Sequence, residues 1–147
     1  MNPTRDVLFS EYAGFHQDSR NRACHSVGIP SIVLGLLGLL SLARIGPVDL
    51  AAVAAIVVLL YYVALDPRGA LVSAIVFLAL YEIAIHLPWR WELSVAAFVL
   101  GWGLQLAGHR FEGNKPKFLT NLTYLLIGPL FFFEEAFGLL PTTKRAG

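Results

Sequence analysis

The sequence is poor in cysteine and in charge. Its one cysteine, Cys24, excludes an intramolecular disulfide framework and any zinc site built from several cysteines. Charged residues make up 14% of the 147 residues, against about 25% in an ordinary soluble domain. The few cations form no basic stripe, so we expect no nucleic-acid partner. Because 56% of the residues are apolar, the composition predicts an integral membrane protein with helical spans.

Familiar catalytic signatures are missing as well. The sequence has no histidine box of the membrane desaturases, no glycine-rich nucleotide loop, no serine-hydrolase elbow and no zinc-protease motif. The amino terminus lacks the apolar core and small-residue cleavage site of a signal peptide, so we expect mature protein throughout. Any catalysis must therefore depend on a small number of scattered polar residues.

Apolar runs separated by polar breaks dominate the rest of the chain. Four runs, 28–43, 48–65, 70–87 and 93–108, are near the lower length limit for membrane-spanning helices. A last run, 118–140, contains Pro129 and the pair Glu134–Glu135, and it either forms a fifth span, re-enters or lies at the surface. Residues 3–24 have the spacing of an interfacial amphipathic helix or helix pair. The predicted fold class is therefore all-α, an integral membrane bundle of four to five transmembrane helices behind an interfacial helix.

We predict a single domain over residues 1–147. It comprises an interfacial polar segment (1–27), four spans (28–108), a polar loop (109–117) and the last segment (118–140). Four crossings return the polar loop to the side of the polar segment. The other side holds Arg44 and Arg90, joined by Lys144 and Arg145 if the last run spans. The charge bias predicts that the polar segments are cytoplasmic, at a bacterial inner membrane or the endoplasmic reticulum. Their side carries seven cations: Arg5, Arg20, Arg22, Arg68, Arg110, Lys115 and Lys117.

Three histidines on that side, His16, His25 and His109, are candidate metal ligands. His16 and His25 would face opposite ways on one continuous helix. Joint ligation therefore requires a bend near Asp18–Ser19 or near Gly28–Pro30, where we expect Pro30 in a first helical turn. The alternative is that these are unrelated interface histidines.

Several polar residues flank the histidines. Glu112, three residues after His109, is either a fourth ligand or an acid that partners a nearby cation. Asn21 and Gln105 each precede a candidate histidine by one turn and would orient it by hydrogen bonding, although helix–helix hydrogen bonds are equally natural. His86 falls at the far end of the third span, so we exclude it and expect a structural contact with Glu82.

Two stretches resemble one known family. Residues 12–30 carry His16, Asn21, His25, Gly28 and Pro30, and residues 108–116 carry Gly108, His109, Phe111, Glu112 and Pro116. In this combination and order they resemble the Mpo1-like family of small multi-pass membrane proteins.

The resemblance implies an Fe(II)-dependent dioxygenase of fatty acid alpha-oxidation. It would convert a long-chain 2-hydroxy fatty acid and O2 to the acid one carbon shorter and CO2, with His16, His25 and His109 as iron ligands. No signature of 2-oxoglutarate or nucleotide binding accompanies it. The substrate carboxylate would bind one of four cations: Arg20, Arg22, Arg110 or Lys115.

Other functions remain open from the residues alone. One is a non-catalytic membrane protein that binds lipid or assists assembly, with its histidines holding helices together. Another is a proton-coupled transporter that uses Glu82, His86 and Glu134. A third is a zinc hydrolase built on the same histidines. The pattern carries no information on oligomeric state or on substrate chain length.

Overall fold

Helices account for nearly all regular structure in the computed structural model, which describes residues 2–140. The predicted all-α class is confirmed. Two short elements interrupt the helices. One is a hairpin of two-residue strands, β1 (Arg44–Ile45) and β2 (Val48–Asp49), and the other is a 3-10 turn at Lys117–Leu119. Lys144 and Arg145 lie outside the described residues, as do both ends of the predicted domain. The helices are α1 (Pro3–Gly14), α2 (Ser19–Leu40), α3 (Leu50–Leu65), α4 (Pro67–His86), α5 (Arg90–Glu112) and α6 (Thr123–Ala136).

Polar residues at the breaks act as helix caps. The side chains of Asn2, Asp18, Asp49 and Asp66 each accept a hydrogen bond from a backbone N–H in the first turn of the helix that follows. Because Asp18 caps α2, that helix begins at Ser19, well before the predicted start of the first span. Pro30 therefore lies inside the helix, and its expected place in a first turn is wrong.

An antiparallel pair, α2 and α5, forms the most intimate helix contact. A Cβ added at Gly35 would lie 2.5 Å from the backbone oxygen of Ser94, and one added at Gly101 would lie 2.7 Å from that of Gly28. Backbones approach this closely only where side chains are absent, as in many membrane helix pairs. The glycines in this contact are Gly28, Gly35 and Gly38 on α2 and Gly101 and Gly108 on α5.

A second antiparallel pair, α1 and α6, covers one end of the bundle. Near one end of the pair, Arg5 forms an ion pair with Glu134. In the middle, the ring centroids of Phe9 and Phe131 lie 5.3 Å apart. Toward the other end, a Cβ added at Gly128 would lie 3.0 Å from the hydroxyl oxygen of Tyr12. This register aligns α6 along the amino-terminal helix.

The N-terminal segment also contacts one end of each of the helices α2, α3, α4 and α5. Asn2 donates to the carbonyl oxygen of Ala64 at the end of α3 (3.0 Å), and Arg5 pairs with Asp66 at the start of α4 (2.6 Å). His16 contacts His25 near the start of α2 and His109 near the end of α5. We call this end of the bundle the site end.

Helix length bears directly on the number of membrane crossings. Two helices, Ser19–Leu40 and Pro67–His86, are long and apolar enough to cross a membrane, and the apolar α3 is shorter. Length and composition alone therefore do not establish the four to five predicted spans. With 14 residues, α6 rises roughly 21 Å, less than the roughly 30 Å of a hydrocarbon core, and its length does not support a fifth crossing.

Large apolar side chains line the outside of the bundle. On α3, Ile56 and Leu60 are 57% and 66% exposed, and on α4 Leu71 and Leu78 are 64% and 62% exposed. Each pair is separated by one or two helical turns, so the residues belong to continuous outward faces. Contiguous exposed apolar faces mark contact with a membrane or with another protein.

Candidate metal centre

Three buried histidines meet at the site end. His16 lies in the turn between α1 and α2, His25 in the second turn of α2, and His109 in the last turn of α5; they are 5%, 1% and 5% exposed. One ring nitrogen from each lies within 4.8 Å of the others. The Nε2 atoms of His16 and His25 are 3.1 Å apart.

The bend that brings His16 and His25 together lies at residues 15–18. There α1 has ended at Gly14 and α2 has not yet begun, so the chain reverses before the Asp18 cap. This is the first of the two bend positions that the sequence allowed. At the second, α2 is continuous through Gly28 and Pro30.

Each imidazole is oriented by an oxygen atom at its other nitrogen. His16 Nδ1 lies 2.7 Å from the carbonyl oxygen of Tyr12, and His25 Nδ1 lies 3.0 Å from that of Asn21. His109 Nδ1 lies 3.0 Å from Oδ1 of Asn114. Because these oxygens only accept, each Nδ1 donates, and the Nε2 lone pairs are left as acceptors. Metal-binding histidines are oriented by this kind of contact.

The converging lone pairs need an electron-poor partner, which a cation or a hydrogen-bond donor can provide. Two acceptor nitrogens 3.1 Å apart cannot form a hydrogen bond with each other in neutral rings. Burial lowers the pKa of His16 to about 4, so this ring stays unprotonated near neutral pH. A metal cation meets this requirement, and neutral imidazole is the ligand form that metals bind.

Aromatic rings form walls around the imidazoles. Tyr12 stacks on His16 with ring centroids 4.1 Å apart, and Phe132 stacks on His25 at 5.5 Å. The elements that bring these rings to the site are the two covering helices, α1 and α6. Stacking restricts rotation of the imidazoles and keeps water away from their faces.

Glu112 lies outside the group of three nitrogens. One carboxylate oxygen accepts from the backbone N–H of Gln17 (2.8 Å), and the other accepts from that of Asp18 (2.8 Å) and from the side-chain amide of Asn21 (3.0 Å). Burial raises the pKa of Glu112, but these hydrogen bonds outweigh it and the net pKa is lowered. The carboxylate thus fastens the end of α5 to the α1–α2 turn. Of the two alternatives left open for Glu112, the geometry does not support the fourth ligand.

A small cavity opens beside the histidines. Its volume is about 70 Å³. The wall includes all three histidines, apolar residues of α2 and α6, aromatic side chains, and the amide of Gln105 and the ammonium group of Lys117. The space suits a small polar group next to the imidazoles.

The amino-acid sequence matches one known family over nearly its whole length. Residues 4–140 match the family described as Mpo1-like, 2-hydroxy-palmitic acid dioxygenase. The chain belongs to the Mpo1-like family. The matched region contains the three histidines, their Nδ1 partners and the cavity. Searches of curated proteins and of solved structures found no match.

The two predicted orienting amides behave differently from expectation in this Mpo1-like chain. Asn21 holds His25 through its backbone carbonyl, while its side chain donates to Phe15 and Glu112. Gln105 does not orient His109; its Nε2 is buried and finds no acceptor among residues 2–140. The residue that orients His109 is Asn114, which sequence reasoning missed because it lies beyond the end of the helix.

The four cations predicted to bind a carboxylate lie elsewhere. Arg20 pairs with Asp18 on the surface, and Arg22 pairs with Glu135. Arg110 and Lys115 are exposed. None of these four cations is among the residues that line the cavity. On α2 the reason is helical geometry, because residues next to Asn21 point about 100° away from the face that meets α5. The cation at the cavity is Lys117, which the sequence marked only through the charge count.

The three polar residues of the transporter hypothesis lie at opposite ends of the bundle. His86 and Glu82 are exposed at the far end of α4, with side chains 73% and 56% exposed and 3.8 Å apart. Glu134 is buried at the site end, where it pairs with Arg5. The expected structural contact between Glu82 and His86 is present, and these groups form no continuous path with Glu134 in the described part of the chain.

Proposed function

We propose that this Mpo1-like protein is an Fe(II)-dependent dioxygenase that shortens long-chain 2-hydroxy fatty acids by one carbon. The observation that carries the proposal is the convergence of the buried ring nitrogens of His16, His25 and His109 in a family described as a 2-hydroxy-palmitic acid dioxygenase. Imidazole ligands with open coordination positions suit non-haem iron. Iron(II) held there would supply the activation of O2.

The proposed reaction needs no second reductant. A 2-hydroxy acid, R–CH(OH)–COOH, and O2 give R–COOH, CO2 and H2O. The bond between the first two carbons breaks, and the substrate supplies all four electrons that O2 accepts. This balance agrees with the lack of any sequence signature for 2-oxoglutarate or a nucleotide.

The chain's own residues would prepare the site in two ways. The oxygens of Tyr12, Asn21 and Asn114 hold the three imidazoles with Nε2 toward the metal position. Tyr12 and Phe132 stack on two of these rings and exclude water from their faces. Oriented ligands in a dry pocket raise both metal affinity and selectivity.

Membrane placement supports an amphiphilic substrate. The two long apolar helices and the exposed apolar faces of α3 and α4 favour a multi-pass protein, with the cation-rich site end in the cytoplasm. A cavity of about 70 Å³ has room for a head group and not for a long acyl chain. We therefore propose that the tail stays among lipid and outer apolar residues while the head group enters the cavity.

Anaerobic purification followed by metal analysis and oxygen uptake tests this proposal. We expect iron in the purified protein and O2 consumption that depends on 2-hydroxyhexadecanoic acid, with pentadecanoic acid as the product. Hexadecanoic acid, which lacks the hydroxyl group, serves as the control and should give no uptake. Zinc in the site together with no uptake would favour the hydrolase alternative, because three histidines also suit zinc.

Two histidine variants provide a matched comparison. His109→Ala should lose both the metal and the oxygen uptake, because it removes one of the three converging nitrogens. His86→Ala should retain both, since that ring is exposed at the opposite end of α4. Retention of metal by His109→Ala, with uptake intact, would contradict the assignment of the site.

A further inference from the structure

Two polar side chains in the cavity wall have no part in orienting the histidines. Gln105 and Lys117 line the cavity with His16, His25 and His109. Gln105 projects from α5 one turn before His109, and Lys117 begins the 3-10 turn that follows the loop after α5. They approach the cavity from two separate parts of the chain.

Gln105 carries a hydrogen-bond donor without an acceptor. The side chain is 7% exposed, and its Nε2 makes no hydrogen bond within residues 2–140. A Cβ added at Gly28 would lie 3.1 Å from this nitrogen, so the amide lies against α2, one turn beyond His25. Burying an amide donor unpaired is unfavourable, and native proteins retain such a group where a ligand or water satisfies it.

Lys117 is a partly buried cation held mainly by aromatic rings. Its Nζ lies 4.6 Å from the ring centroid of Phe15 and 5.3 Å from that of Tyr124. The nearest carboxylate oxygen of Glu11 is 3.8 Å away, longer than a hydrogen bond, and the same oxygen accepts from the hydroxyl of Tyr124. The ammonium group therefore keeps donors for a further anion.

We propose that Lys117 and Gln105 recognise the head group of the substrate. Lys117 binds the free carboxylate, and Gln105 donates to an oxygen of the same head group beside the histidines. This assignment rests on the proposed function, and it makes the two residues specificity determinants for an acid over a neutral lipid. A carboxylate presented to a lysine and an amide forms charge-assisted hydrogen bonds, which are stronger than neutral ones.

Equilibrium binding to the metal-free protein tests the assignment without any turnover. The probe is 2-hydroxyhexadecanoic acid, added to detergent-solubilised protein that has been treated with a chelator. Lys117→Met should weaken binding by about 10- to 100-fold, the range expected for a charged hydrogen bond, and Gln105→Leu by about 10-fold. Lys115→Met, at an exposed position two residues before Lys117, is the matched control and should bind as the wild type does.

A neutral probe distinguishes the loss of a carboxylate contact from a failure of the variant to fold. The methyl ester of the same acid should bind wild-type protein about 10- to 100-fold more weakly than the acid does. Its affinity should not change in Lys117→Met. Equal binding of acid and ester by the wild type, or equal binding of the acid by Lys117→Met and Lys115→Met, would overturn the proposal.

Turnover separates this inference from the proposed function. If the wild type consumes O2, Lys117→Met should raise KM by about 10- to 100-fold while metal content stays unchanged. Unchanged KM would reject the role of Lys117 and leave the dioxygenase intact. Lys117-dependent binding of the acid without any oxygen uptake would instead reject the reaction and leave an acid-binding site.

Discussion

The environment of each histidine, and not its residue type, distinguishes the site. His16 and His86 both use Nδ1 to contact a backbone carbonyl oxygen four residues earlier. The side chain of His86 is 73% exposed and lies beside the acid Glu82, whereas His16 is 5% exposed and faces two other imidazoles. Burial thus converts a common local contact into a fixed, neutral imidazole at the centre of the cluster.

Burial of His16 predicts a pH dependence of stability in the metal-free protein. In the unfolded chain this histidine takes up a proton near pH 6.5, whereas in the folded protein its pKa is lowered to about 4. Between these values the unfolded state binds more protons, so stability falls as the pH decreases from 6.5 toward 4. Each pH unit inside that window favours unfolding by up to about tenfold.

Thermal unfolding in detergent with a chelator present, followed at pH 7, 6 and 5, measures this dependence. His16→Gln removes the titrating ring and should reduce the loss of Tm on acidification. The same loss of Tm in the wild type and in His16→Gln would mean that protonation of this ring does not oppose folding.

At the scale of elements, the glycine contact between α2 and α5 sets the distance between His25 and His109. His25 lies three residues before Gly28 on α2. His109 lies four residues after Gln105 on the antiparallel α5. The backbone oxygen of Gly28 would lie 2.7 Å from a Cβ at Gly101. Any side chain at this contact separates the helices and with them two of the three nitrogens.

Gly101→Ala should therefore lower both stability and metal affinity. The new methyl group would meet backbone of α2, which has no free rotamer to move away, and overpacking of this kind costs about 1–3 kcal/mol. Gly103→Ala, on the same helix with nothing within 4 Å of the new Cβ, is the matched control. It should be neutral or stabilising by about 0.5–1 kcal/mol, since alanine favours helix over glycine.

Thermal unfolding and metal titration of both variants test this contact. Equal behaviour of Gly101→Ala and Gly103→Ala would show that α2 and α5 tolerate separation at that point. The comparison is internal to one helix, so differences in helix propensity cancel.

At the scale of the whole molecule, α1 and α6 form a cover over the site end. Arg5 joins Asp66 and Glu134, which links α1 to the start of α4 and to α6. Arg22 pairs with Glu135 and links α2 to α6. The buried Glu134 thus belongs to a network of ion pairs that holds the cover in place.

The arrangement predicts the reactivity of single cysteines in a Cys24→Ser background. Arg20→Cys and Lys115→Cys replace exposed residues at the site end, while Trp89→Cys replaces a residue that is 76% exposed at the opposite end. In sealed inverted vesicles from bacterial cells, an impermeant maleimide should label the first two positions and spare Trp89→Cys. Labelling of Arg20→Cys and Lys115→Cys from opposite sides would contradict a common site end.

Local signals in the sequence were enough for the fold class and for the three candidate ligands. Apolar runs broken by capping residues such as Asp18 and Asp66 predict helices because each cap bonds to backbone within three residues. The resemblance to the Mpo1-like family also rests on short motifs, and the family match confirms it. The number of crossings and the identity of the metal stay predictions.

Tertiary structure alone decided how the remaining residues are used. Glu112 bonds to residues more than 90 positions away, and Arg5 meets Glu134 across 129 positions, so no local pattern announces either contact. The turn after α5 decided that Asn114 orients His109 and that Lys117, not Lys115, reaches the cavity. The sequence by itself determined helices and a set of histidines, since both follow from nearest neighbours and residue chemistry. Which side chains orient those histidines and line the cavity depends on where the chain reverses direction. The contacts at these reversals form only when distant segments of the chain pack together.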